Sequence, residues 1–474
     1  MKILVTGSTG YIGKRLIPIL INEGHHVICA VRDALRADKT YFEDTHISIA
    51  EADFLKPETL NNIPKDIDVA YYLIHSMSNT SKDFEILEAA CAKNFKNYIE
   101  TTNIKQVIYL SGITNEEELS KHLKSRKNVE ELLASEKYAL TVFKAGIIVG
   151  SGSSSFEIIR DLVEKLPVMI APKWLNTKTQ PIAVRDVLMF LSRAKANTEL
   201  FNKSYDIFGP EILTYKQMLL KFATIRGLKR YILTVPVMTP KLSSYWLYFV
   251  TATSYKLASS LVDSMGVQII GKTSDINTIL NVHPITYKEA VALAFEKIEQ
   301  NSIISSWKDS MVSSGRLQNN LHKYVNVPKY GCFKDYKERK IVDEDKTLHK
   351  IWSIGGTTGW YYGTFLWKIR GYLDKMVGGI GLRRGRTHVS ELNTGDALDF
   401  WRVIFSDKNE KKLLLYAEMK LPGEAWLEFK IEDGLLKQTA TFRPRGLAGR
   451  LYWYSVLPFH GFIFRGMIDK LANK

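Results

Sequence analysis

Cysteine is scarce: Cys29, Cys91 and Cys332 are the only three in 474 residues. They lie too far apart for a disulfide framework and, with no C-x-x-C pair, suggest no zinc site either. A reducing compartment suits such a chain. No H-E-x-x-H, G-x-S-x-G or Walker sequence occurs, which argues against zinc hydrolases, serine esterases and nucleoside triphosphatases. Met1 is followed at once by a strand pattern and a glycine turn, which leaves no room for a signal peptide. A cytoplasmic location is expected.

Uninterrupted apolar runs of about 20 residues are also missing. Residues 242–262 carry many hydroxyls and Lys256, while 451–464 holds Pro458 and His460 and then meets Arg465. Buried or groove-lining helices are expected there, with a peripheral membrane contact as the other reading. Acidic residues are in deficit, 50 against 65 Lys and Arg, for a net charge of +15. That balance suits nucleic acid, an anionic membrane or anionic cofactors and substrates. No helix-turn-helix, zinc-finger or basic-zipper pattern accompanies it, so nucleic-acid binding is not expected.

What is present is a strand-helix alternation over the first third. ILVTG (3–7), HVICAV (26–31), ISIAEADF (47–54), VAYYLIH (69–75), QVIYLSG (106–112) and LTVFKAG (140–146) read as short apolar strands. Amphipathic stretches such as 11–24 and 84–102 separate them. This grammar predicts an α/β domain with a parallel, doubly wound sheet. It covers residues 1–300, with substrate-side elements over 151–300, and a linker over 301–330, rich in Ser, Asn and Gly, follows. Residues 331–474 form an α+β domain: a strand at 333–342, a helix at 345–354, four alternating strands between 398 and 442, and a last helix over 447–472. In 424–432 the side chains of Ala425, Leu427, Phe429 and Ile431 share one face and Trp426, Glu428 and Lys430 the other, which predicts a sheet with one face on a core. The last helix would cover that face and leave room for a ligand.

Gly7, Gly10 and Gly13 lie directly between a strand and a helix. Such a turn brings backbone close to a pyrophosphate at a helix N-terminus, so Gly7, Ser8, Thr9, Gly10, Tyr11, Ile12 and Gly13 are the candidate dinucleotide cradle. The second strand ends Val31-Arg32-Asp33. Arg32, first in line, would meet a 2′-phosphate and favours NADP; a strand ending one residue later would present Asp33 to the ribose hydroxyl and select NAD. Lys14 and Arg15 could add positive charge near the phosphates.

TGSTGYIG, the Arg after strand two and Asp53-Phe54 after strand three resemble the atypical or extended short-chain dehydrogenase/reductases, including their NmrA-like branch, over about residues 1–300. The resemblance implies an NAD(P)-binding Rossmann domain, Asp53 and Phe54 at the adenine, and Ile74 and His75 beside the nicotinamide ribose. WSIGGTTGWYYG, LNTGDALDFWRV and RPRGLAGRLYWYSVLPFHG resemble a domain of uncharacterised function fused to such dehydrogenases, similar to START or polyketide-cyclase helix-grip folds.

That family carries Tyr-x-x-x-Lys after strand five and a Ser at the strand's end. Here the strand ends at Ser111-Gly112 and the matching helix reads His122-Leu123-Lys124-Ser125-Arg126, so His122 stands for the Tyr and Arg126 for the Lys. Three readings stay open. His122 donates the proton, because imidazole titrates near neutrality, with Ser111 and Arg126 beside it; or the site binds the dinucleotide as a sensor or carrier without turnover; or Tyr71, Tyr72 or His75 serves as acid/base. The function expected is an NAD(P)-dependent oxidoreductase, NADP favoured and NAD the alternative, acting on an apolar carbonyl or quinone-like small molecule held between the two domains. No metal site is expected, and the oligomeric state is open. Trp360, Tyr361, Tyr362, Trp367 and Trp401 read as core aromatics, and Asp396, Asp399 and Arg402 as turn and surface residues.

Overall fold

A computed structural model describes residues 1–32, 34, 44–74, 84–113, 121–235, 262, 265–299, 327, 332–356, 358–377, 379, 381 and 391–472. The chain divides into two compact units, Met1–Met311 and Val312–Lys474. In the first, the described elements run β1 (Lys2–Val5), α1 (Gly13–Asn22), β2 (His26–Val31), β3 (Ile47–Glu51), β4 (Val69–Tyr72), α2 (Phe84–Ile99), β5 (Gln106–Gly112), α3 (Lys121–Leu133) and β6 (Ala139–Ala145). They continue through β7 (Ile148–Val149), α4 (Ser154–Lys165), β8 (Val168–Pro172), β9 (Lys178–Thr179), β10 (Ile182–Ala183), α5 (Val184–Ala194) and β11 (Lys203–Ile207). β12 (Leu213–Thr214), α6 (Tyr215–Ile225), β13 (Tyr231–Val235), α7 (Ile276–Ile279) and α8 (Tyr287–Glu299) complete it.

Seven strands form one parallel sheet in the order β11-β6-β5-β4-β1-β2-β3. This is the Rossmann fold. Helices cover both faces, which is why the strands read as apolar runs instead of alternating: Ile3, Leu4, Val5, Ala70, Tyr71 and Tyr72 are all buried, although neighbours along a strand face opposite sides. The strand order reverses between β1 and β4, so the chain leaves these neighbours in opposite directions and a crevice opens at their carboxyl ends.

The second unit is an antiparallel sheet gripped by a helix. β14 (Phe333–Lys340), α9 (Glu344–Trp352), α10 (Thr364–Met376), β15 (Ala397–Leu398), β16 (Trp401–Asp407), β17 (Lys412–Ala417), β18 (Gly423–Glu432), β19 (Leu435–Pro444) and α11 (Gly446–Ala472) follow in order. The sheet order is β14-β19-β18-β17-β16-β15. Asp433 and Gly434, both with positive φ (54° and 70°), close the two-residue hairpin between β18 and β19, as primed turns require. Leu427, Phe429 and Ile431 face the core with Trp352, Trp360, Trp367 and Trp401. The opposite face, which the alternation gives Trp426 beside Glu428 and Lys430, is not wholly polar: Trp426 is buried there with Tyr416, Ile404 and Leu414.

The structure also corrects the reading of Asp396, Asp399 and Arg402 as surface residues. Asp399 accepts from the Trp360 indole N–H at 2.7 Å, and Asp396 from the Asn393 amide. Arg402, 1% exposed, reaches the Glu418 carboxylate at 3.2 and 3.3 Å and the Gly395 carbonyl at 2.7 Å. Each buried polar group is thus consumed by a structural partner.

Two tests follow. Arg402→Met leaves Glu418 buried without its cation, and urea unfolding should show a loss of about 3–5 kcal/mol. The His460 ring lies between Trp453 and Phe464, with centroids 5.0 and 4.7 Å away, and burial pushes its pKa down to about 4. An unfolded histidine titrates near 6.5, so between those values the unfolded chain binds the proton first. Stability is full above pH 6.5 and falls as pH drops toward 4; His460→Gln should flatten that slope in unfolding midpoints measured at pH 7 and pH 5.

Candidate functional site

β1 ends at Val5, and the chain then turns through the three glycines into α1. Gly7 has φ +64°, and a Cβ there would lie 2.7 Å from the Leu73 carbonyl oxygen. A Cβ on Gly10 or Gly13 would lie 2.9 or 2.4 Å from the Gly7 carbonyl oxygen. All three positions therefore exclude any other residue. The turn is pressed against the chain leaving β4, in the crevice at the switch point. α1 begins at Gly13 with no capping side chain and no acid in its first turn, so its positive end is left for an anion.

Polar side chains fasten the cradle. Thr6 Oγ donates to the Tyr71 carbonyl at 3.0 Å and accepts from the Leu73 amide at 3.1 Å, tying the end of β1 to that of β4. Ser8 Oγ donates to the Ala30 carbonyl at 2.9 Å, tying the turn to β2. Thr9 and Ile12 are half-buried in the turn. The Tyr11 hydroxyl donates to the Ser151 carbonyl at 3.2 Å, and burial pushes its phenol up to about 12, against the opposing pull of Arg15. Arg15, 8% exposed, lies over the Tyr11 ring at 4.4 Å and donates to the Ser151 carbonyl at 2.7 Å. A Cβ on Gly150 would meet the Tyr11 hydroxyl at 2.8 Å, so this loop too is shaped around the tyrosine.

The sequence marks Arg15 only as added charge, since its pairing with Ser151, 136 positions away, leaves no local trace. In Ser151-Gly152-Ser153-Ser154-Ser155, Ser153 Oγ accepts from the Phe156 amide and caps α4. Glu157 and Arg160 pair one turn apart on α4 beside this loop, with Glu157 near enough to act on the Tyr11 phenol. Their i,i+3 spacing was the available signal for that pair.

β2 ends at Val31 and Arg32 follows, exposed and near the Cys91 thiol. Asp33 and His75 lie outside the described residues. Asp53, past the end of β3, folds its carboxylate over the Leu55 amide at 3.1 Å, and Phe54 is buried against Phe95 and anchors that turn. Ile74, half-buried, follows Leu73 along the crevice.

Ser111 and Arg126 are brought together at the end of β5. Arg126 Nη1 donates to the Leu110 carbonyl at 3.1 Å. The buried Ser111 hydroxyl makes no hydrogen bond of good geometry, and burial raises the neighbouring Tyr109 phenol while the Arg126 charge opposes that rise. His122 lies in the first turn of α3; its side chain is outside the described residues. Tyr71 and Tyr72 are both fully buried in β4. The Tyr71 hydroxyl donates to the Leu191 carbonyl at 2.8 Å, the Tyr72 ring packs on Phe95 and Tyr109, and burial drives both phenols far above their usual range.

Residues 7–148 match a family described as NAD(P)H-binding, and residues 331–467 match one described as a protein of unknown function (DUF2867). The photosystem II assembly factor Ycf39 of Synechocystis is 24% identical over 217 residues, 44% of this chain and 63% of that protein, so the chain spans less than two thirds of that relative. An isoflavone reductase homolog of Arabidopsis thaliana is 34% identical over 104 residues, 21% of this chain and 34% of that one. Of solved structures, the Citrobacter triphenylmethane reductase complexed with NADP(H) superposes with TM-score 0.52 at 16% identity, over 62% of this chain and all of that one. A Staphylococcus aureus nucleoside-diphosphate-sugar epimerase gives 0.50 at 15% identity, over 61% and 99%. At these identities the solved structures speak for the fold alone.

Gly13→Ala places a methyl group against the Gly7 carbonyl. NADPH fluorescence titration should show affinity lost by at least about tenfold, with far-UV dichroism retained; unchanged affinity would remove the turn from the binding site.

Proposed function

We propose that the chain is an NADP-preferring oxidoreductase that reduces an apolar carbonyl or quinone-like small molecule. The observation that carries the reading is the three-glycine turn, in which none of Gly7, Gly10 and Gly13 tolerates a Cβ and which leads into a helix N-terminus without a side-chain cap. NADP is favoured because Arg32 is the first residue past β2, where a guanidinium matches a 2′-phosphate. The NADP(H) bound by the triphenylmethane reductase of similar fold and the name of the isoflavone reductase homolog agree with this reading.

When bound, the dinucleotide supplies a hydride. The chain's residues hold it and handle the proton. The turn over Gly7–Gly13 would take the pyrophosphate, Asp53 the adenosine side, Ile74 and His75 the nicotinamide ribose, and Arg126 the ribose from the β5 side. Ser111, whose buried hydroxyl makes no hydrogen bond of good geometry, would hydrogen-bond the substrate oxygen. His122 would deliver the proton from its imidazolium, which needs no adjacent cation at neutral pH. This division of labour replaces the tyrosine-lysine pair of typical relatives.

Arg32→Ala should weaken NADPH binding by about tenfold or more and leave NADH within about twofold, because only the former loses a charge-assisted hydrogen bond. Equal losses would refute the NADP preference. With a panel of aldehydes and quinones, His122→Ala should lower the rate of NADPH oxidation by about a hundredfold. Unchanged turnover would remove His122 from the mechanism, and no turnover with any substrate would favour a sensor or carrier.

A further inference from the structure

We propose that the second unit docks, through the exposed faces of α10 and α11, onto the surface of a bilayer containing anionic lipids. α10 buries Trp367, Gly371 and Asp374 and turns Phe365, Ile369, Tyr372 and Met376 outward, each between 51% and 61% exposed. These recur at the three- and four-residue spacing of one helix face. α11 buries Trp453, Phe464 and Met467 and turns Leu447, Leu451, Tyr454, Phe459 and Phe462 outward, each between 55% and 72% exposed. The two helices touch: the Trp367 and Phe464 ring centroids are 5.9 Å apart, and the Arg370 guanidinium lies 5.9 Å from the Tyr452 ring centre. The outward stripes therefore flank a common seam. Scattered apolar residues are normal on a surface, but two adjoining stripes of aromatic and aliphatic side chains mark an interaction face.

Charge identifies the occupant. Residues 312–474 hold 28 Lys and Arg against 17 Asp and Glu, whereas residues 1–311 hold 37 against 33, so most of the positive excess belongs to the unit bearing this face. Lys368, Arg445, Arg450 and Arg465 are exposed around the stripes. The one acid of α10, Asp374, is fully buried and accepts from the Gly381 and Lys420 amides. α11 has no acid before Asp469, which pairs with Arg339 at 2.6 Å. An apolar stripe rimmed by cations and free of exposed acids matches the boundary between acyl chains and anionic headgroups. Among the described residues no helix is long and apolar enough to cross a membrane, so the contact lies in the interface plane.

The test is sedimentation of the full chain with vesicles of phosphatidylcholine containing increasing phosphatidylglycerol. The wild type should pellet increasingly with phosphatidylglycerol, and less at high salt. Leu451→Ser/Phe459→Ser should reduce vesicle partitioning by at least about tenfold with its melting temperature and NADPH affinity unchanged. Lys368→Glu/Arg450→Glu should abolish the dependence on phosphatidylglycerol. Wild-type protein that stays in the supernatant, or a serine variant that pellets equally, would overturn the proposal. So would a wild-type dimer in analytical ultracentrifugation that the serine variant cannot form, since a second copy would then cover the face.

Discussion

The first unit depends on a contact that only glycine permits. A single methyl group on Gly13 would stand 2.4 Å from the Gly7 carbonyl oxygen, and one on Gly7 would stand 2.7 Å from that of Leu73. These approaches hold the start of α1 against the ends of β1 and β4, so the helix's positive end faces the crevice where the strand order reverses. Thr6 and Ser8 fix the turn to strands on either side. An anion-binding surface thus arises from backbone geometry, and side chains serve to keep that backbone in place.

Tyr11 and Arg15 extend the same economy of space. A nearly buried guanidinium needs acceptors, and the Ser151 carbonyl answers both it and the Tyr11 hydroxyl. The loop after β7 is thereby tied to the glycine turn through short polar contacts. The second unit solves a different problem. Its sheet and α11 bury a tryptophan-rich core, with Arg402 and Glu418 neutralising one another inside, while α10 and α11 keep a second apolar surface turned outward.

Much of this was legible in the sequence. β2 and β5 have the limits read from their apolar runs, because a charged residue follows the one and a glycine ends the other. The Asp433-Gly434 turn is as local as a signal can be. The glycine spacing pointed to the cradle because the constraint lies within seven residues. What escaped was either long-range or ambiguous in burial. The Arg15–Ser151 contact spans 136 positions. Tyr71 and Tyr72 looked like candidate acid/base groups since they stand at a strand end beside the crevice, but a parallel sheet covered on both faces buries consecutive residues alike. Asp396, Asp399 and Arg402 looked like surface turns because pattern alone does not separate a charge satisfied inside from one satisfied by water.

The central claim is that a nicotinamide dinucleotide rests on the glycine turn and is felt across to the Ser151 loop. Amide hydrogen exchange of the full chain with and without NADPH addresses it most directly. The account predicts slower exchange in residues 6–16 and 150–156 on addition of NADPH, with the strands of the second unit unchanged. Protection confined to the second unit, or no change in the glycine turn at saturating NADPH, would contradict it.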